Sequence, residues 1–268
     1  MLELIQITND PDFARRCDDL GGFRLFVDLE RLGKAERQAG RNTFISAHAL
    51  DDVARIKRVL RRSKLMVRVN PLHEGTAREV AAVLERGADL LMLPMFMRGE
   101  EVRRFAALVA GRAPIVPLLE TASALDCLDD WIATPGLAEL YVGLNDLHLS
   151  LGHRFMFEPL ALGLVDRVAQ AARRHGLAFG FGGIARMNEG QVSGHDVLAE
   201  HLRLGSGSVI LSRTFHRPED SLPFEDAVAA LREAERELAL RDAAQVEADR
   251  VRVAAKIVQV AASLPQPR

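Results

Sequence analysis

The chain has 268 residues, of which 48% are hydrophobic and 27% charged, and a formal net charge of −2. That length and apolar content suit one large α/β domain with a full core and exclude global disorder, while the near-neutral charge argues against nucleic acid as the main partner. Cys17 and Cys127 are the only cysteines, which excludes a disulfide framework and fits a reducing compartment.

Strand-like and helix-like runs alternate along the chain. Leu2–Ile7 reads as a strand, and Asp10-Pro11 as a capped helix start running to Leu20. MLELIQITNDPDF lacks the charged and apolar regions of a signal peptide. No apolar run approaches the roughly 20 residues that span a bilayer. The expected location is the cytoplasm, with no membrane partner. Phe23–Leu29 is the second strand and delivers Asp28 and Glu30; a charged connection, Gly33–Asn42, and a short β-like run, Thr43–Ser46, follow. Asp51–Arg62 has helical spacing, and its dense basic residues read as a solvated face. Leu65–Val69 ends in Asn70-Pro71. Helices are expected at Ala77–Arg86 and Glu100–Ala110, with the strand Leu90–Leu93 between them.

Ile115–Gly152 carries the densest chemistry. Ile115–Leu119 and Leu140–Leu144 read as buried parallel strands, joined by a helix over Ala122–Ala133. Glu120 follows the first and Asp146 comes just past the second. Chemistry in parallel α/β proteins sits at the carboxyl ends of strands, so this pair is the candidate site for one hard cation, Mg²⁺ or Mn²⁺. Such a site leaves room for a bidentate 2-oxo acid, whose keto oxygen the cation would polarise. The alternative is that both acids are strand-end caps or salt-bridge partners. Arg68 ends another strand, where it either holds a keto or enolate oxygen or pairs internally with Glu30 or Glu120.

Further on, Leu160–His175 is helical, Ala178–Phe181 a strand, Val197–Leu204 a helix and Val209–Leu211 the last strand. Gly182-Gly183 with Arg186, and Arg213 after the eighth strand, are candidate substrate contacts, because loops after strands seven and eight of barrels often bind anions. No zinc-type spacing involves His48, His148 or His153. His148, beside Asn145 and Asp146, is placed to touch substrate, and His48 is a candidate proton-transfer group. Eight strands in this alternation predict a (β/α)8 TIM barrel over 1–222. Residues 223–268 form a helical extension. From Pro223 to Ser263 there is no glycine; one continuous helix of roughly 40 residues would span about 60 Å. Val246, Val251, Val253, Ile257 and Val260 would then supply apolar surface for packing on another subunit of a homo-oligomer.

The segments FVDLE, VRVNP, GADLLMLPMF, PLLETASALD and LYVGLNDLHLSLG, in this order across roughly Ile5–Phe215, resemble the metal-dependent pyruvate aldolase and citrate lyase β-subunit superfamily. The resemblance implies a phosphoenolpyruvate-binding type of barrel, usually oligomeric, with a C-terminal helix exchanged between subunits. It implies Mg²⁺ or Mn²⁺ on Glu120 and Asp146, Arg68 on a pyruvate-like enolate, and reversible carbon–carbon cleavage by retro-aldol or retro-Claisen chemistry; the expected partners are a 2-oxo acid and an aldehyde. The sequence departs from the pattern after the second strand. Pyruvate aldolases of the group carry a histidine there; here Asp28-Leu29-Glu30 is followed by Arg31. Glu30 and His48 are the remaining candidates for proton transfer. The rival readings are a CoA-ester lyase of the citryl or malyl type and a metabolite-binding barrel without catalysis.

Overall fold

A computed structural model describes residues 1–33, 47–216 and 222–265. Eight strands run β1 Glu3–Ile7, β2 Phe23–Asp28, β3 Lys64–Arg68, β4 Leu90–Leu93, β5 Ile115–Leu119, β6 Glu139–Val142, β7 Ala178–Ile184 and β8 Ser208–Leu211. They follow one another in chain order round a closed barrel, the (β/α)8 architecture expected from the alternation. The β-like run Thr43–Ser46 lies outside the described residues. Among the described residues no helix is long and apolar enough to cross a membrane. Cys17 and Cys127 are both free thiols.

The chain divides into two compact units, Ile5–Tyr141 and Met1–Leu4 with Val142–Arg268. In the first, β2 is buried at all six positions, because a parallel strand has both faces covered and reads as a continuous apolar run. Parallel register sets Asp28 beside Arg68 and Arg68 beside Met92. The surrounding helices are α1 Pro11–Leu20, α2 Leu50–Lys57, α3 Thr76–Glu85, α4 Gly99–Val109, α5 Ala122–Asp126 and α6 Leu128–Trp131. Asp10 caps α1 by accepting the Asp12 N–H, with Pro11 in the first turn. The helix expected over Ala122–Ala133 is divided at Cys127, whose backbone leaves helical geometry. Phe96 meets Trp131 edge-on at 4.9 Å, and the indole N–H donates to the Ala124 carbonyl. Towards the amino ends of the strands, buried Arg24 pairs with buried Glu139.

The second unit contains α7 Leu144–Ser150, α8 Glu158–Ala161, α9 Leu164–Arg174, α10 Gly194–Leu204, α11 Phe224–Leu238 and α12 Ala243–Ser263. The strand expected over Leu140–Leu144 stops at Val142, and Gly143 caps α7 instead. Gly163, at φ 71°, separates α8 from α9, so Leu160–His175 is not one helix. The single long helix expected from Pro223 is also absent. It breaks at Ala239–Asp242, and α12 restarts on an Asp242–Gln245 capping box. α12 packs on α8 and α10 of its own unit. Val253, Ile257 and Val260 are buried here, whereas Val251 and Val258 are 53% and 60% exposed. At the other end of the chain, the Leu2 N–H donates to Glu235 and Arg232 donates to the Leu2 carbonyl. The Glu3 N–H donates to Gly207 at the approach to β8. Inside this unit His201 stacks on Phe181 with ring centroids 3.8 Å apart. Burial pushes its pKa down to about 3, so the ring is neutral and is a core histidine.

Candidate active site

In the first unit, the carboxyl ends of β2, β3 and β5 bring one arginine and three acids together. Arg68 closes β3. Its Nε and Nη2 donate to the two Asp28 oxygens at 2.9 and 2.8 Å, the bidentate fork that a planar guanidinium makes with a carboxylate. Glu30 lies 3.5 Å from Nε. Burial alone would lower the guanidinium's pKa, but the Asp28 charge and hydrogen bonds, then the Glu30 and Glu120 charges, outweigh it and raise it. Arg68 is therefore a permanent cation. Its plane also lies 5.7 Å from the centroid of the Phe26 ring. Among the described residues its Nη1 makes no hydrogen bond.

Glu120, the residue after β5, is buried and accepts the Met95 N–H at 3.0 Å. Met95 reaches that position with φ 55°, a left-handed conformation that costs a non-glycine residue of order 1–3 kcal/mol. The local backbone is thus held where it orients a carboxylate. His48 is buried, and its Nδ1 accepts the Asp28 N–H at 3.0 Å. The proton of the neutral ring is then on Nε2. The sequence reading gave Arg68 Glu30 or Glu120 as internal partners. The structure makes Asp28 the principal one, with Glu30 second.

The other singled-out residues belong to the second unit. Asp146 and Asn145 occupy the first turn of α7 and are half-buried; His148 is buried and its Nδ1 lies 3.1 Å from the Leu144 carbonyl oxygen. Gly182 and Gly183 were read as a loop after the seventh strand, yet β7 continues through them to Ile184, with a bulge between Gly180 and Gly183. A Cβ at Gly182 would meet the Leu144 side chain at 2.8 Å, and its φ is 52°. Arg186 is buried; its N–H donates to Thr214 and its Nη2 to the Leu222 carbonyl. Arg213 is exposed and opens a 3₁₀ turn that buries Phe215. Among the described residues no group of three or more His, Cys, Asp or Glu side chains is placed to hold a metal.

Asp28 and Asn70 are the residues that sequence reasoning did not select. Asn70 Oδ1 receives the N–H groups of Arg31 and Leu32 at 2.8 and 3.0 Å, fixing the chain just past Glu30. The available signal was strand alternation in FVDLE, which places Asp28 and Glu30 on one side.

This chain belongs to the HpcH/HpaI aldolase/citrate lyase family, which it matches over residues 7–194. The family's name covers aldolases and citrate lyases, which are lyases. A (3S)-malyl-CoA thioesterase of Cereibacter sphaeroides is 32% identical over 114 residues, 42% of this chain and 40% of the relative. The matched stretch therefore spans well under half the length of that curated relative. An HpcH/HpaI aldolase from Desulfitobacterium hafniense shares the fold with a TM-score of 0.61 at 18% identity, covering 79% of this chain and 86% of its own. A citrate lyase β subunit from M. tuberculosis, solved with oxaloacetate and magnesium, superposes with a TM-score of 0.61 at 17% identity, covering 88% and 97%.

Proposed function

We propose that the chain is a metal-dependent carbon–carbon lyase that makes or breaks the bond beside the keto group of a 2-oxo acid such as pyruvate, with an aldehyde as the other partner. The observation that carries this reading is Arg68. Asp28 and Glu30 hold its Nε and Nη2 side, leaving Nη1 to donate to an oxygen that gains charge as an enolate forms. Glu120 and Asp146 are the residues that would hold Mg²⁺ or Mn²⁺. Both are oxygen donors following consecutive strands, and two carboxylates leave ligand positions for substrate oxygens and water. The bound cation supplies Lewis-acid polarisation of the keto oxygen. The magnesium and oxaloacetate of the M. tuberculosis citrate lyase β subunit support this assignment.

His48 offers Nε2–H, because its Nδ1 is occupied by the Asp28 N–H. We therefore assign proton removal to Glu30 and proton return to His48. Asn145, His148, Gly182, Gly183, Arg186 and Arg213 are proposed substrate contacts. The same reading places the protein in the cytoplasm as a homo-oligomer whose contact includes Val251 and Val258 on α12.

The test is exchange of pyruvate methyl protons in D₂O, followed by NMR, with and without Mg²⁺ or Mn²⁺. Exchange should require the metal and disappear in Glu120→Gln with the fold intact. Unchanged exchange in that variant would remove the metal assignment. The malyl-CoA thioesterase relative supports a second reading, lysis of a CoA ester, which predicts retention on an immobilised CoA-ester analogue. Stabilisation by pyruvate without any proton exchange would identify a binding barrel.

A further inference from the structure

Arg31 directly follows Glu30 and ties two segments of the first unit together. Its N–H and that of Leu32 both donate to Asn70 Oδ1, at 2.8 and 3.0 Å. Asn70 is itself fixed, because its N–H and Nδ2 donate to Glu79 Oε1 at 3.2 and 2.7 Å. The backbone of Arg31 is thus anchored just past β3, and its side chain starts from a set position. From there Nη2 donates at 2.8 Å to the carbonyl of His48, 17 residues further along the chain.

The peptide unit that joins His48 to Ala49 is held at both of its polar ends. Arg31 takes the C=O, and the Ala49 N–H donates to Asp52 Oδ2 at 2.8 Å. Asp52 is buried in the first turn of α2, where it also accepts from Asn9 Nδ2 at 3.3 Å and lies 2.9 Å from Arg55. A peptide is planar, so bonds at its two opposite ends fix the plane, and with it the direction in which the His48 side chain leaves the backbone. Both bonds are charge-assisted, which is the stronger kind. A third bond sets the ring, whose Nδ1 accepts the Asp28 N–H at the end of β2. Arg31 is therefore joined to Glu30 by a peptide bond and to His48 by a hydrogen bond, and these are the two groups assigned to proton transfer.

We propose that Arg31 is a positioning residue that clamps His48 where its Nε2 can give a proton to the enolate carbon. The part in proton return rests on the lyase reading above; the clamp does not. In the exchange reaction Glu30 takes a methyl proton, Nε2 gives one to the carbon, and solvent restores both groups. Arg31 stands where the pyruvate aldolases that this chain resembles carry a histidine, and it brings in a histidine from a later segment instead. The experiment compares the full-length parent with Arg31→Met and Arg31→Lys; Arg31 is exposed, so neither change should disturb folding. The proteins are labelled with ¹⁵N at histidine, and the His48 signals are assigned by their loss in His48→Gln. In the neutral ring the parent should show one tautomer, with Nδ1 bare and Nε2 protonated. Arg31→Met should show signals averaged between the two tautomers, and Arg31→Lys, which keeps a charged donor, should move most of the way back. In metal-dependent exchange of pyruvate protons Arg31→Met should lose about tenfold or more in kcat, the loss of one charge-assisted hydrogen bond, with KM for pyruvate unchanged, and Arg31→Lys should recover part of it. His48 signals identical in Arg31→Met and the parent would overturn the clamp. An unchanged kcat where those signals do change would overturn its part in proton return. If the parent exchanges no pyruvate protons, the lyase reading fails and that part fails with it, while the His48 signals still decide the clamp.

Discussion

Replacing Arg68 with methionine keeps the unbranched apolar stem of the side chain and removes its charge from between buried acids. Asp28 and Glu30 are 3% and 2% exposed, and both face the guanidinium. Taking away one partner of a buried pair costs about 3–5 kcal/mol, because the charge left behind has lost both its water and its counter-ion. At roughly 2–4 °C per kcal/mol for a chain of this size, the Tm of Arg68→Met should fall by about 6–20 °C at pH 7.5. The pH dependence has a definite sign. A carboxylate buried without its cation binds a proton more readily folded than unfolded, so the variant gains stability as the pH falls. The Tm gap to the parent should therefore narrow by pH 5. Adding Asp28→Asn to the variant removes one of the stranded charges and should recover part of the loss even at pH 7.5. Calorimetric scans of the three proteins at both pH values are the assay. A gap below about 1 kcal/mol, or one that stays constant with pH and is not narrowed by Asp28→Asn, would refute the assignment of Arg68 as the cation that this acid cluster needs.

His201 gives a second pH signature. Its folded pKa is pushed down to about 3 by burial, below the ordinary unfolded value of about 6.5. Between those values the unfolded chain binds the extra proton, so the histidine costs stability as pH falls, by about 1.4 kcal/mol per unit. His201→Phe, which retains an aromatic ring against Phe181, should gain on the parent by that slope between pH 6 and 4 in denaturant titrations; parallel curves would count against it. On α12, if the proposed homo-oligomer forms through this face, Val251→Glu with Val258→Glu should give smaller species in sedimentation velocity and leave Tm nearly unchanged in the dissociated form. An unchanged mass would exclude that face from the contact.

Much of the barrel was legible because parallel strands are short buried runs punctuated by Gly and Pro. Leu90–Leu93 has the expected bounds, and Pro94 marks its end. Helix interruptions were less so. Nothing in Cys127 announces a break, and the turn at Ala239–Asp242 contains neither Gly nor Pro; only the Asp242–Gln245 capping box marks the restart. Glu30 and Glu120 stood out as carboxylates after apolar runs. Their partners did not, because partnership depends on cross-strand register, and the neighbours Asp28 and Arg68 are 40 residues apart in sequence. Asn70 was read as a strand-end residue before proline, whereas its side chain brackets Arg31 and Leu32 to Glu79. Long-range hydrogen bonding of this kind has no local periodicity to betray it.

The bonds that hold Leu2 and Glu3 have a consequence for biosynthesis. The Leu2 N–H pairs with a residue 233 positions later, and Glu3 waits for Gly207. At about 5–20 residues per second, on the order of 10–50 s passes between the synthesis of this segment and that of its last anchor. During that interval Leu2 and Leu4, which are buried in the finished chain, lack the later part of their own unit. A segment made 233 residues before its last anchor is thus fastened late, and a nascent chain paused before Glu235 would present it to chaperones as an unclaimed apolar strand.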